Sequence, residues 1–279
     1  MSFIDQIITG HRSVLRTLSL IWLKPVLNFY NILHSLVNML LFLISSLVLG
    51  LGVFGIYHLL QGWFKTLFIS ETVYFGIFLS LLLVVSLWIK LVFETALLRR
   101  VMNLLHRKEL TFSQSFDFDK GLGKKLFTWS LIIILFVGAV IFVGGYFSLF
   151  VYYYCPYIVI FLAFLSSWFV LPILIKRNFD LVKAIKQSFE LTWKHFIELI
   201  SALISLIFYM LIIGFVVGTV VFGLTWLVCY ILLIPFSIGL IMPFVLIGVI
   251  PIVLLGIYFG TVIMALPGVL YHSIIDKLK

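Results

Sequence analysis

The chain has 279 residues, 64% of them hydrophobic and only 10% charged. A soluble domain carries about 25% charged residues, and one of this size lacks the interior to hide so much apolar surface. A water-soluble globular fold is therefore excluded, and a bilayer becomes the solvent for the outward faces. The formal charge is +9. The basic residues cluster beside apolar runs and form no arginine-rich or aromatic-interleaved surface, so no nucleic-acid partner is expected. Cys155 and Cys229 have no paired spacing, which argues against a metal knuckle or a disulfide framework. His11, Arg12, Arg16 and Lys24 interrupt the N-terminus, which does not read as a signal peptide.

Residues 1–34 are amphipathic. Ile4, Ile8, Leu15, Leu18 and Trp22 line one side, with Asp5, Arg12, Arg16 and Lys24 elsewhere. Pro25, Asn28 and Asn31 argue against a crossing, so an interfacial helix and a bend are expected. Residues 36–60 carry no charge and are long enough to cross about 30 Å of hydrocarbon. A short turn carrying Lys65 and Glu71 follows, and 72–93 crosses back. Lys90 and Glu94 at its end read as a neutralised pair at the headgroups.

Residues 95–125 form the longest polar stretch and read as a solvated loop. Asp117 and Asp119 stand two apart, but nothing nearby completes a metal-ligand set. Gly-Leu-Gly-Lys-Lys at 121–125 lacks the phosphate-loop spacing and a preceding strand. Residues 126–150 cross again. Val-Tyr-Tyr-Tyr-Cys-Pro at 151–156 reads as a tight interfacial turn, and 157–175 returns, with Pro172 expected in the last turn.

Lys176–Glu198 is the one long run in which charge and apolar residues alternate at helical spacing. Ile185, Phe189 and Trp193 recur on one face; Lys183, Lys186 and Lys194 take the other. Asn178 or Asp180 is placed to cap its start. A helix lying on the membrane surface between two spans is expected. Residues 196–217 cross once more, and 244–270 form the last span. The apolar piece at 218–243, with Pro235 and Pro243, reads either as re-entrant or as an additional span. Gly214 and Gly218, and Gly256 and Gly260, make two small-xxx-small pairs expected to pack the fifth and last spans together.

The expected fold is thus all-α: one integral membrane domain over 1–279, a bundle of about six transmembrane helices, seven being the alternative. With six spans, both termini and the two long basic stretches share a side that holds 18 of the 19 basic residues, Lys65 being the exception. Basic residues are retained on the cytoplasmic side, so both termini are expected there. There is no HExxH, GxSxG, Walker box or dinucleotide turn. No catalytic, cofactor-binding or metal-binding residue is assigned, and no cofactor is expected.

Ala184, Ile185, Lys186, Ser188, Phe189, Leu191 and Thr192 make an A-hydrophobic-K-x-S-F-x-L-T segment. It resembles the segment between the fourth and fifth helices of the YciC-like bacterial inner-membrane family. The run Glu94–Phe116 is similar to the cytoplasmic turn of such families. The resemblance implies about six helices, a cytoplasmic surface helix and a bacterial plasma (inner) membrane; it supplies no catalytic residue. The expected role is non-enzymatic, in envelope organisation or as the membrane subunit of an assembly. Its expected partners are membrane lipids and a protein met through the cytoplasmic loops. The alternative is a permease for an apolar or lipid-like substrate, motivated by a final region rich in proline and glycine that would break into discontinuous helices.

Overall fold

The computed structural model describes residues 3–48, 71–144, 149–177, 180–231 and 241–276. The elements are α1 (Phe3–Leu23), a 3-10 turn (Pro25–Leu27), α2 (Asn28–Val48), α3 (Glu71–Leu105) and α4 (Phe112–Ser115). They continue with α5 (Lys120–Gly144), α6 (Leu149–Ser167), α7 (Val170–Arg177), α8 (Leu181–Lys194), α9 (Phe196–Ile231) and α10 (Ile241–Asp276). Among the described residues there is no strand. Six helical segments there are long and apolar enough to cross a membrane: Pro25–Ser46, Ser80–Leu105, Gly121–Phe142, Pro156–Lys176, Phe196–Leu224 and Val249–Ile275. The chain is an all-α, multi-pass membrane bundle.

Several boundaries differ from the sequence reading, each for a local reason. Pro25 does not end helical structure. It sits at the start of the 3-10 turn, where its missing N–H is no loss, and α2 begins at Asn28. The first eleven residues of the expected 95–125 loop, up to Leu105, continue α3. Thr111 then opens α4 with a capping box: its side chain accepts from the Gln114 N–H, and Gln114 Oε1 accepts from the Thr111 N–H. Gly121 and Gly123 lie inside α5 rather than in a turn. Residues 151–156 are helical, with Pro156 inside α6.

The fourth span breaks between Ser167 and Val170, upstream of Pro172. Pro172 is therefore the third residue of α7, in a first turn whose N–H groups have no intrahelical acceptor in any case. The piece at 218–243 is not a separate element up to Ile231, because it continues α9. At 36 residues α9 is about 54 Å long by helical rise, more than a bilayer core needs. Residues 232–240 lie outside the described residues, as do Lys65, Asn178, Lys277 and Lys279. The last region is continuous helix from Ile241 to Asp276, with Pro251 and Pro267 inside.

The chain forms two compact units, Met1–Asn31 with Arg100–Glu109 and Glu190–Lys279, and Ile32–Arg99 with Leu110–Phe189. In the first, α1, α9 and α10 pack on one another. The buried face of α1 is Thr9, Gly10, Ser13, Val14, Thr17, Leu18 and Ile21. Of the apolar side read from sequence, only Leu18 turns inward; Ile4, Ile8, Leu15 and Trp22 are exposed. Arg12 and Arg16 are exposed beside them. In lipid an exposed Ile or Leu loses nothing, so association is decided by how closely backbones approach. The hydroxyls on the docked face donate to their own helix: Thr9 to Asp5 O (2.6 Å), Ser13 to Thr9 O (2.9 Å) and Thr17 to Ser13 O (2.7 Å). At the far end of α1, Lys24 pairs with Glu109 at 2.6 Å, and that hydrogen bond and charge hold the exposed Glu109 carboxyl below its ordinary range.

In the second unit, α5 packs on α6. The break in the fourth span is closed by α8: Ser188 Oγ donates to Ser166 O (2.7 Å) and accepts from the Phe169 N–H (3.1 Å). One buried hydroxyl thus satisfies an acceptor and a donor freed by the break.

Gly10 is a point of close backbone approach in the α1 docking. A Cβ there would stand 2.9 Å from both Ala202 N and Ser201 Cβ, and closer still to Glu198 O. Gly10→Leu should lower stability by about 1–3 kcal/mol through overpacking. A Cβ on Gly214 meets nothing within 4 Å among the described residues, so Gly214→Leu should be near neutral. Thermal unfolding of the two variants in detergent checks this, and equal midpoints would refute it.

Candidate functional site

The polar groups of the first unit gather where α1 meets α9 and α10. Ile7 O accepts from Ser201 Oγ at 2.8 Å. One turn on, His11 bridges to α9 with both ring nitrogens: Nδ1 lies 3.2 Å from Ser205 Oγ, and Nε2 lies 3.4 Å from the Tyr209 hydroxyl. The His11 and Tyr209 rings also stack, with centroids 5.8 Å apart. Ser201, Ser205 and Tyr209 recur at four-residue steps and so share a face of α9.

Toward α10, Ser13 Oγ lies 3.3 Å from Ser273 Oγ, and the Tyr258 hydroxyl donates to Leu18 O at 3.0 Å. Trp22 meets the Tyr258 ring edge-on. Asn31 Nδ2 donates to Ile257 O at 2.9 Å, and that carbonyl also accepts from Thr261 Oγ1 at 2.9 Å. Asn31 sits so close to α10 that a Cβ on Gly260 would collide with its amide. His106 donates to or accepts from no distant helix through Nδ1, which faces Met102 O at 2.8 Å; its ring meets His272 edge-on at 4.7 Å. Arg100 lies over the buried Tyr30 ring at 6.0 Å.

The ionisable centre of this unit is His195 with Glu198. His195 precedes α9 and Glu198 is its third residue, so the carboxyl lies in the first turn, where the helix dipole favours negative charge. His195 Nδ1 is 3.0 Å from Glu198 Oε1; with a carboxylate as acceptor, the imidazole is the donor. Glu198 is 1% exposed. Glu198 Oε2 and His195 Nε2 make no hydrogen bond among the described residues. The backbone carbonyl of Glu198 faces Gly10 of α1.

Of the residues singled out from sequence, Gly260 lies against this seam, at Asn31. A Cβ on Gly214, Gly218 or Gly256 meets nothing within 4 Å among the described residues; Gly260 alone of the four is a close contact, and its neighbour is Asn31 rather than α9. On α8 the buried stripe is Ala184, Ser188 and Thr192. Phe189 and Trp193 are 53% and 47% exposed, Ile185 is half-buried, and Lys183, Lys186 and Lys194 are exposed. The side chains of Cys155 and Cys229 lie outside those described. Among the described residues no three His, Cys, Asp or Glu side chains gather as a metal set. Arg99 Nη1 donates to Asp117 O, which leaves the Asp117–Asp119 segment tied by its backbone.

Sequence reasoning passed over Gly10, His11 and Ser13 because it sought the apolar side of α1. The available signal was the small or hydroxyl residue at 9, 10, 13 and 17, a docking stripe for a helix in lipid. No family model matches this sequence, and neither a curated protein nor a solved structure matches it.

Removing His195 leaves a buried carboxyl without its partner, which costs about 1–3 kcal/mol. His195→Ala should therefore destabilise the protein more than the double change His195→Leu with Glu198→Leu, which removes both polar groups. A urea or thermal melt of the three proteins in detergent decides; a double variant weaker than the single would show that the pair is net stabilising.

Proposed function

We propose that this chain is a non-enzymatic, multi-pass protein of a bacterial plasma membrane, serving as the membrane-embedded subunit of an assembly and lining the cytoplasmic surface with α1 and α8. The observation that carries this reading is the common build of those two helices. Each buries a stripe of small and hydroxyl residues, exposes large apolar side chains beside it, and exposes cations beyond. In α1 the three sectors are Gly10, Ser13 and Thr17; Ile4, Ile8, Leu15 and Trp22; and Arg12 and Arg16. In α8 they are Ala184, Ser188 and Thr192; Val182, Phe189 and Trp193; and Lys183, Lys186 and Lys194.

A helix docked by one face, with lipid-compatible and cationic faces on either side of water, is fitted to a membrane surface. The charge count supports cytoplasmic placement of both ends, and the segment resembling YciC-like proteins supports a bacterial inner membrane. The polar side chains of α1, α9 and α10 hold helices together, which supports a scaffold more than a reaction site. The permease reading draws on a proline- and glycine-rich final region, of which Ile241–Asp276 is one helix and 232–240 lie outside the described residues.

Reporter fusions at the two termini should both report cytoplasm. Phe189→Asp should lower membrane abundance severalfold, because burying such a side chain in lipid is worth about 1.5–3 kcal/mol and each lysine near anionic headgroups about 1 kcal/mol. Lys183→Gln with Lys186→Gln should be milder. Affinity purification in a mild detergent should bring down a stoichiometric protein partner. A chain that purifies alone while showing lipid flux in vesicles would replace the scaffold reading with the permease one.

A further inference from the structure

We infer that the groove between α3 and α5 is a binding site for one anionic phospholipid, its acyl chain along the groove and its headgroup at Lys124. Both helices belong to the second unit in this region. The groove is open and encloses about 560 Å³, with Leu81 and Val84 from α3 and Leu131, Leu135, Gly138 and Phe142 from α5 along its walls. The α5 residues recur at steps of three and four and so form one stripe. From Leu131 to Phe142 that stripe is about 17 Å long by helical rise, over half the thickness of a bilayer core of about 30 Å.

The same stripe continues toward the start of α5 through Phe127 to Lys124. Phe127 meets Trp88 of α3 edge-on, with ring centroids 6.2 Å apart, and closes the apolar groove with an aromatic pair. Aromatic residues mark the level where hydrocarbon gives way to headgroups. Lys124, one turn beyond, is exposed. It stands about 10 Å from Leu131 along the helix, and its flexible stem extends that reach. An apolar trough, an aromatic neck and a cation in line select an amphiphile with an acyl tail and a negative head. A protein helix would need small residues along both walls to enter, and of the residues lining the groove only Ser80 on α3 and Gly138 and Ala139 on α5 are small. The inference uses only this helix pair and does not depend on the scaffold role.

The test is native mass spectrometry of the full chain in mild detergent with added phosphatidylglycerol or phosphatidylcholine. One phosphatidylglycerol per chain should be retained, at least tenfold more than phosphatidylcholine. A Cβ on Gly138 meets nothing within 4 Å among the described residues, so Gly138→Phe fills the groove without disturbing the helix. It should cut phosphatidylglycerol retention at least tenfold at an unchanged melting midpoint. Ala139→Phe serves where Gly138→Phe fails to fold. Lys124→Gln should bring phosphatidylglycerol down to the phosphatidylcholine level. Equal retention of the two lipids, or retention that both filling variants leave intact, overturns the inference. So does a dimer in the wild-type spectrum that Gly138→Phe dissolves, which would assign the groove to a second copy of the chain.

Discussion

Close backbone approach is the constraint on which the first unit depends. Lipid gives no hydrophobic drive between helices, so contact must come from packing and hydrogen bonds. At Gly10 the absence of a side chain lets α1 settle onto the first turn of α9. Everything around that point presupposes the contact. His11 reaches Ser205 and Tyr209 only if the backbones are near, and Ser13 reaches Ser273 only if α1 also lies on α10. Glu198, whose carboxyl pairs with the buried His195, has its backbone carbonyl covered by α1 at the same contact. Hydroxyl and imidazole groups on facing helices satisfy one another, which is the condition for burying them at all.

The second unit meets the same condition at a different place. A break in the fourth span frees backbone groups at Ser166 and Phe169. Ser188 of the surface helix answers both with one oxygen. The sequence around Ser188 reads as amphipathic, and its small residues are the ones fully buried, while Trp193 stacks on Phe196. Ala184, Ser188 and Thr192 are buried, and Phe189 and Trp193 are about half exposed.

Much of the architecture was legible because hydrocarbon length and charge exclusion are strong, local signals. Uncharged runs mark six crossings, and the described helices realise six. Boundaries were less legible. The sequence suggests a bend at Pro25, a turn ending at Pro156 and Pro172 in the last turn of a continuous span, but helical structure starts at Pro25, runs through Pro156 and restarts at Val170 just before Pro172. A proline's effect depends on its place in the turn, which a single sequence does not state. The polar seam was missed for a related reason. Helical periodicity finds the apolar face of α1, and in a bilayer that face need not be the one that packs. Likewise Gly214 and Gly218 match a packing motif by spacing while the close contact falls at Gly10, since spacing does not say which face meets a neighbour.

The partners of α1 lie far along the chain. Ile7 bonds to Ser201, 194 residues later, and Ser13 to Ser273, 260 residues later. At a synthesis rate of about 5–20 residues per second, the first helix made waits about 10–50 s for the helices that will hold it. Throughout that interval its hydroxyl stripe has only its own carbonyls to bond, which the Thr9, Ser13 and Thr17 back-bonds supply. Its Ile4, Ile8, Leu15 and Trp22 sector has the lipid surface at hand. The N-terminal helix is therefore fully locked only once α10 has been made. A nascent chain arrested before α10 has its N-terminal helix present and helical, but undocked on one of its two sides.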